Sequence, residues 1–171
     1  DRLVRQHGAN KHDKKFCAWD QLLVMVFGQL SGANSLRQIE VGFNGQSPHH
    51  YHLGTREVHR STLADANNKR NVQVFEEAVR VLMEQARAGL RAQARECLYL
   101  LDSTSFTLKG RGFDVWSADT RTRHTQGLKL HLLYDCAQQL PLHQSMSAPN
   151  LNDIDAAREL RIEPGATYVF D

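Results

Sequence analysis

No stretch of the sequence is apolar for long enough to cross a membrane: the longest run, Leu22 to Phe27, has six residues, against roughly 18 for a span. No signal-peptide pattern opens the chain, which starts at Asp1 rather than Met, so an N-terminal piece is expected to precede it. Cysteine is scarce. Cys17, Cys97 and Cys136 fall at no metal-type spacing and form no even set, which argues against a disulfide scaffold and for a reducing cytoplasm. G-x-S-x-G, P-loop and GxGxxG patterns are all absent, so hydrolase, NTPase and Rossmann functions lack support. No repeat of 20–50 residues occurs, which excludes a solenoid.

A large net charge is lacking too, but the distribution is uneven. The total is +2, whereas residues 1–95 carry 14 Lys and Arg against 9 Asp and Glu, or +5. Residues 132–171 carry 2 against 6, or −4. The basic part suits a polyanion partner, and the acidic end suits cations.

What is present reads first as helix. Phe16, Trp19, Leu23, Val26, Phe27 and Leu30 recur at three- and four-residue spacing, predicting an amphipathic helix that ends at Ser31-Gly32. Ser35 with Gln38 forms a capping box for a second helix with Leu36, Ile39 and Phe43 inside. Gly42, Asn44, Gly45 and Pro48 break it. A third helix starts at Ser61 or Thr62 with Asp65 in its first turn. A fourth begins near Asn71, with Phe75, Val79, Leu82, Ala86 and Leu90 on one face.

After Glu96 the pattern changes to strand. Two apolar runs each end in an aspartate: Cys97-Leu98-Tyr99-Leu100-Leu101-Asp102 and Thr167-Tyr168-Val169-Phe170-Asp171. Such runs predict strands buried on both faces. A carboxylate ending such a strand lies at the sheet edge where ligands and metals bind; capping of the following turn is the alternative. The first strand runs on to Thr107, a polar loop covers Lys109 to Gln126, and Leu128, Leu130 and Leu132 alternate with Lys129 and His131. Leu140 to Met146 forms a third strand. Asn152 or Asp153 caps a short helix with Ile154, Ala157 and Leu160, and Pro164-Gly165 turns into the last strand. Three strands with short links predict an antiparallel meander, and the helix supplies a crossover to a parallel strand. If that strand returns beside the first, Asp102 and Asp171 are neighbours whose repulsion a divalent cation would relieve.

At these residues the chain resembles the DDE transposases of bacterial insertion sequences, in the insertion-sequence-four group. The similar stretches are Gln29 to Arg37, Ser61 to Asn67, Leu101-Asp102-Ser103-Thr104, Gly127 to His131 and Pro164 to Asp171. The resemblance implies an α+β (mixed α/β) chain: a helical, helix-turn-helix-like DNA-binding domain over 1–95 and the first part of a ribonuclease-H-like catalytic domain over 96–171. It implies that Asp102 and Asp171 are the first two catalytic, metal-binding acids, with Mg²⁺ or Mn²⁺ as the hard cation that oxygen ligands favour. The family's third acid, a glutamate in a Tyr/Arg/Glu signature, has no counterpart before Asp171, so the chain is expected to be a fragment and inactive alone. Implied partners are double-stranded DNA, as element terminal repeats and target, and a second copy when assembled on DNA. No membrane is implied, and the location is the bacterial cytoplasm and nucleoid.

Lys109, Arg111, Arg121, Arg123 and Lys129 surround the aspartates in sequence and suit phosphate contacts; a solvated loop is the alternative. Lys129 is favoured because its strand neighbours are apolar. In the segment 35–70, residues 61–69 read as a recognition-type helix, with Arg56, Arg60, Lys69 and Arg70 placed to grip phosphates. His49, His50, His52 and His59 lack zinc-site spacing and read as a solvated loop. Asp135 reads as a turn residue and Asp153 and Asp155 as helix-start residues. Two other functions compete with a transposase: a catalytically inactive DNA-binding remnant that occupies element ends, and a ribonuclease-H-like nuclease unrelated to transposition. Residues 1–95 made alone should bind duplex DNA with an affinity that falls steeply as salt rises, because their +5 charge must release counterions. Salt-independent or undetectable binding in a low-salt gel-shift titration would remove the DNA-binding assignment.

Overall fold

The structure, a computed structural model, describes residues 1–11, 15–90, 97–108, 117–119 and 124–170. The chain divides into two compact units, Asp1–Val79 and Arg80–Asp171. The first contains α1 (Arg2–Gln6), α2 (Ala18–Leu30), α3 (Leu36–Asn44), α4 (Ser47–Leu53) and α5 (Arg60–Lys69). The division falls within α6 (Gln73–Leu90), and the second unit continues with β1 (Leu98–Thr107), β2 (Ser117–Asp119), β3 (His124–Asp135), β4 (Leu140–Ser147), α7 (Asp153–Ala157) and β5 (Thr167–Val169).

In the helical unit Ser35 caps α3, its hydroxyl accepting the Gln38 amide at 3.2 Å. The Gln38 side chain reaches back to the Asn34 amide at 2.7 Å, one residue earlier than the reciprocal bond of a capping box. Phe16, Val24, Ile39, Phe43, Val58 and Leu63 form the main core. Asn44 ties the backbone before α5 into it, its amide making two 2.9 Å bonds to the main chain of Val58.

The inward face of α2 matches the expected apolar stripe only in part: Phe16 is in the core and Leu23 and Phe27 pack against it. Ala18, Asp20, Gln21, Val24 and Gly28 face inward, while Trp19, Val26 and Leu30 are exposed. Gly28 faces α3, where an added Cβ would lie 2.7 Å from Ile39 Cδ1 and would oblige that side chain to shift. The polar residues brought inside are matched: Asp20 accepts from the Cys17 amide at 2.8 Å and the Thr55 hydroxyl at 2.7 Å, and Gln21 donates to Asn67 at 2.6 Å.

The histidine segment is also different. It forms α4, and His50 is buried, stacked on Phe43 with ring centroids 4.4 Å apart and hydrogen-bonded to the Phe43 carbonyl oxygen at 2.9 Å. With α4 between α3 and α5, the segment 35–70 holds three helices rather than two joined by one tight turn. Asp65 lies beyond the first turn of α5 and pairs with Lys69 at 3.7 Å.

In the second unit the sheet order is β2-β3-β1-β5, with β4 also paired to β3. β1–β3 and β3–β4 are antiparallel and β1–β5 is parallel. Asn152 caps α7, its side chain accepting the Asp155 amide at 2.7 Å. The segment 109–126 was expected as loop throughout, yet β2 pairs with residues 124–126 of β3; a ladder of backbone bonds needs no apolar side chain to announce it. Nor is β1 buried on both faces. Tyr99 and Leu101 are buried, whereas Leu98 and Leu100 are each 39% exposed. The inner face joins Tyr99, Leu101 and Leu133 to Leu142, Ala157 and Leu160, so α7 and the turn after it cover one side.

Arg70 was expected to grip phosphate and instead holds the helical unit together. Its guanidinium donates to the carbonyl oxygens of Ala9 (2.9 Å), Phe16 (2.7 Å) and Cys17 (3.3 Å), donates to Gln21 (2.5 Å) and lies 5.8 Å from the Phe16 ring centroid. A planar fork of five donors satisfies several carbonyls at once, and those bonds occupy the groups a phosphate would need. Arg70→Met should lower the urea midpoint of the helical unit by the equivalent of about 2–4 kcal/mol, because it strips charged donors from part-buried carbonyls. A change below about 0.5 kcal/mol, the range of ordinary surface substitutions, would contradict this role.

Candidate functional site

Asp102 is the fifth residue of the ten in β1, and strand alternation decides where it points. Ser103 pairs with His131 and Ser105 with Lys129, whereas Asp102 pairs with Leu132 and Thr104 with Leu130. Buried Tyr99 and Leu101 share the side of Ser103, so Asp102 lies on the opposite, outer face with Leu98 and Leu100. Its carboxylate is exposed, and among the described residues its partner is the adjacent Ser103 amide at 2.7 Å.

The parallel partner of β1 is β5, paired as Leu98–Thr167, Tyr99–Tyr168 and Leu100–Val169. The last described pair precedes Asp102 by two positions on one strand and Asp171 by two on the other. Asp171 itself lies outside the described residues, as do Lys109, Arg111, Arg121 and Arg123. Among the described residues no three His, Cys, Asp or Glu side chains come together as a metal site. Asp102 nonetheless fits a hard cation: it is an anionic oxygen donor, open to solvent and unpaired with any described cation.

Lys129 is on the other face. Its ammonium meets Asp153 at 3.1 Å and the Leu151 carbonyl oxygen at 3.2 Å, and its side chain is only 16% exposed. The placement follows from the ladder: Lys129 shares the face of Ser105, one strand position out of phase with Asp102. Its charge is therefore spent on α7 and not offered beside Asp102. Arg60 and Lys69 are exposed on α5. Asp135 makes the turn expected of it, accepting the Ala137 and Gln138 amides at 2.9 and 3.0 Å.

Around Lys129 the inner face carries a polar cluster. His131 is buried, with Nδ1 3.0 Å from Asp153 Oδ1 and Nε2 2.8 Å from the Ser147 hydroxyl. That hydroxyl also lies 3.0 Å from the Ala148 carbonyl oxygen. The Ser103 hydroxyl hydrogen-bonds Asp153; this bond, followed by Lys129 and His131, holds the Asp153 carboxyl below its ordinary value of 3.8. The cluster spans 22 residues between His131 and Asp153, so sequence spacing did not announce it. The signal available was the Lys129-x-His131 alternation, which sets both on one face. At the opposite end of the sheet Glu163 ion-pairs with Arg87 and accepts from the Tyr99 phenol at 3.0 Å. Burial, then hydrogen bonding with Cys97 and Glu163, pushes that phenol up.

The comparisons with known proteins agree with this architecture. Residues 93–171 match the family model described as "Transposase DDE domain", and residues 1–56 match "Domain of unknown function (DUF4372)". "Putative transposase y4zB" of Sinorhizobium fredii (strain NBRC 101917 / NGR234) is 38% identical over 109 residues, which is 64% of this chain and 30% of that relative. The matched region thus spans about a third of the curated relative. No solved structure matches. Residues 93–171 are thus similar to the DDE domain of transposases, which implies a ribonuclease-H-like fold for the second unit.

A lowered folded-state value gives Asp153 a defined pH signature. Its ionised form is favoured by folding, so its stabilisation is present above the ordinary value of 3.8 and lost as pH falls through the lower folded-state value. Asp153→Asn should destabilise the sheet unit by about 1–2 kcal/mol near pH 7. The deficit should shrink as pH falls below about 4, where the wild-type carboxylate protonates too. Unfolding midpoints at pH 7 and pH 3 check it; an equal deficit at both would refute the ionic contribution.

Proposed function

We propose that the chain carries part of a DNA transposase of the insertion-sequence-four group, acting at element ends by metal-dependent phosphodiester hydrolysis and strand transfer. The single observation that carries this reading is the parallel pairing of β1 with β5. It supports two catalytic, metal-holding carboxylates, Asp102 and Asp171, which each follow the last described pair by two positions. A divalent cation held there, Mg²⁺ or Mn²⁺, would polarise the phosphoryl oxygens and activate the attacking oxygen. Asp102 presents an exposed carboxylate on a strand paired on both sides, so its backbone is fixed before substrate arrives. In the first step water attacks phosphorus and the bond to the 3′ oxygen breaks, freeing a 3′ hydroxyl. That hydroxyl then attacks a target phosphodiester and displaces the target's own 3′ oxygen.

The partner in this reading is double-stranded DNA, bound as terminal repeats and target by a homodimer assembled on it. Arg60 and Lys69 project from α5 into solvent and suit phosphate contacts. Lys109, Arg111, Arg121 and Arg123, which lie between the two aspartates in sequence, are proposed for the same task. Lys129 and Arg70, engaged within the protein, are left out. The basic charge of residues 1–95 supports the polyanion partner.

In an enzyme extended past Asp171, Asp102→Asn should abolish cleavage at element ends and leave end binding nearly unchanged. Asparagine keeps the shape and removes the charge that holds the cation. Cleavage that survives the substitution would place the chemistry elsewhere; wild-type end binding without any cleavage would favour the inactive DNA-binding remnant.

A further inference from the structure

Ser147, His131 and Asp153 stand in the order hydroxyl, imidazole, carboxylate, with 2.8 and 3.0 Å between neighbours. They do not form a nucleophile site. His131 is 2% exposed, and the Ser147 hydroxyl has a second partner in the Ala148 carbonyl. Two cationic or cation-forming side chains and one hydroxyl instead converge on one carboxylate. Lys129 and His131 come from β3, Ser103 from β1, and Asp153 from the first turn of α7. The cluster therefore joins the strand of Asp102, its antiparallel neighbour and the helix that leads into β5.

Ser103 directly follows Asp102, and its side chain points to the opposite face. Fixing Ser103 from behind fixes the main chain that carries the Asp102 carboxylate in front, whose own bond is to the Ser103 amide. We propose that Asp153, clamped by Lys129 and His131, is a positioning residue for the cation site at Asp102. It sets both the β1 backbone there and the start of the crossover to β5. The inference rests on reading Asp102 as a cation ligand and adds a function to the face that the cation does not touch. Groups that orient ligands from behind characteristically change metal affinity by about 10- to 100-fold when altered.

The probe is Mn²⁺ alone, titrated into the full 171-residue chain and followed by the electron-spin resonance of free Mn²⁺. Asp153→Asn should weaken binding about tenfold, and Asp102→Asn should remove it. Arg87→Met, which breaks the ion pair to Glu163 at the far end of the same unit, supplies a control. It should lower thermal stability and leave Mn²⁺ affinity unchanged. Ser147→Ala removes the Nε2 partner of His131 and a bond to the adjacent Ala148 carbonyl and should cost about threefold, so the test survives if Asp153→Asn fails to fold by circular dichroism. Unchanged affinity in Asp153→Asn, or in Ser147→Ala when that variant stands in, with binding lost in Asp102→Asn, would overturn the positioning role and leave the site standing. No wild-type binding, or binding that Asp102→Asn retains, would overturn both. Equal weakening by Arg87→Met and Asp153→Asn would reduce the effect to loss of stability and also overturn the proposal.

Discussion

Parallel pairing of β1 with β5 is the constraint on which the arrangement of the second unit depends. Two adjacent strands can run the same way only if the chain leaves the sheet and returns. Here the return is made by α7 and the turn after it, between Ser147 at the end of β4 and Thr167 at the start of β5. The helix must therefore lie against one face of the sheet, and its Ala157, with Leu160 beyond it, joins Tyr99, Leu101 and Leu133 there. Asp102, placed on the other face by alternation, is exposed.

One strand thus serves two purposes through its two faces. The inner side of β1 contributes apolar contacts and then, from Ser103 onward, a polar attachment to α7. Burying a lysine and a histidine beside an apolar core is costly unless both are matched. Asp153 matches both, and the Leu151 carbonyl and Ser147 take further bonds. The outer side contributes a carboxylate whose partner among the described residues is the backbone amide of Ser103.

The helical unit obeys the same rule of matched polarity. Asp20, Gln21 and His50 are buried, and Arg70 is drawn onto three backbone carbonyls. Each would be a defect alone and becomes a tie between elements distant in sequence. Trp19, Val26 and Leu30 are left outside, while Gly28 of α2 faces Ile39 of α3.

The local parts of this protein were legible in its sequence. Ser35 and Asn152 cap helices because a cap is decided within four residues. Asp135 forms its turn for the same reason. The strand order and the parallel return of β5 followed from run lengths and connections, and the likeness to transposases from stretches spread along the chain. Side-chain destinations were not legible. Arg70 and a phosphate-binding arginine look alike in sequence, since the carbonyls that capture Arg70 lie 53 or more residues away. Lys129 stands on the far side from Asp102 because β1 and β3 pair in one register and not in another one residue away, and such a slip would exchange every face. The sequence by itself determined most of the elements and the two apolar runs that carry Asp102 and Asp171; tertiary structure alone decided which charges are spent inside and which remain outside, because burial and register are properties of contacts between segments.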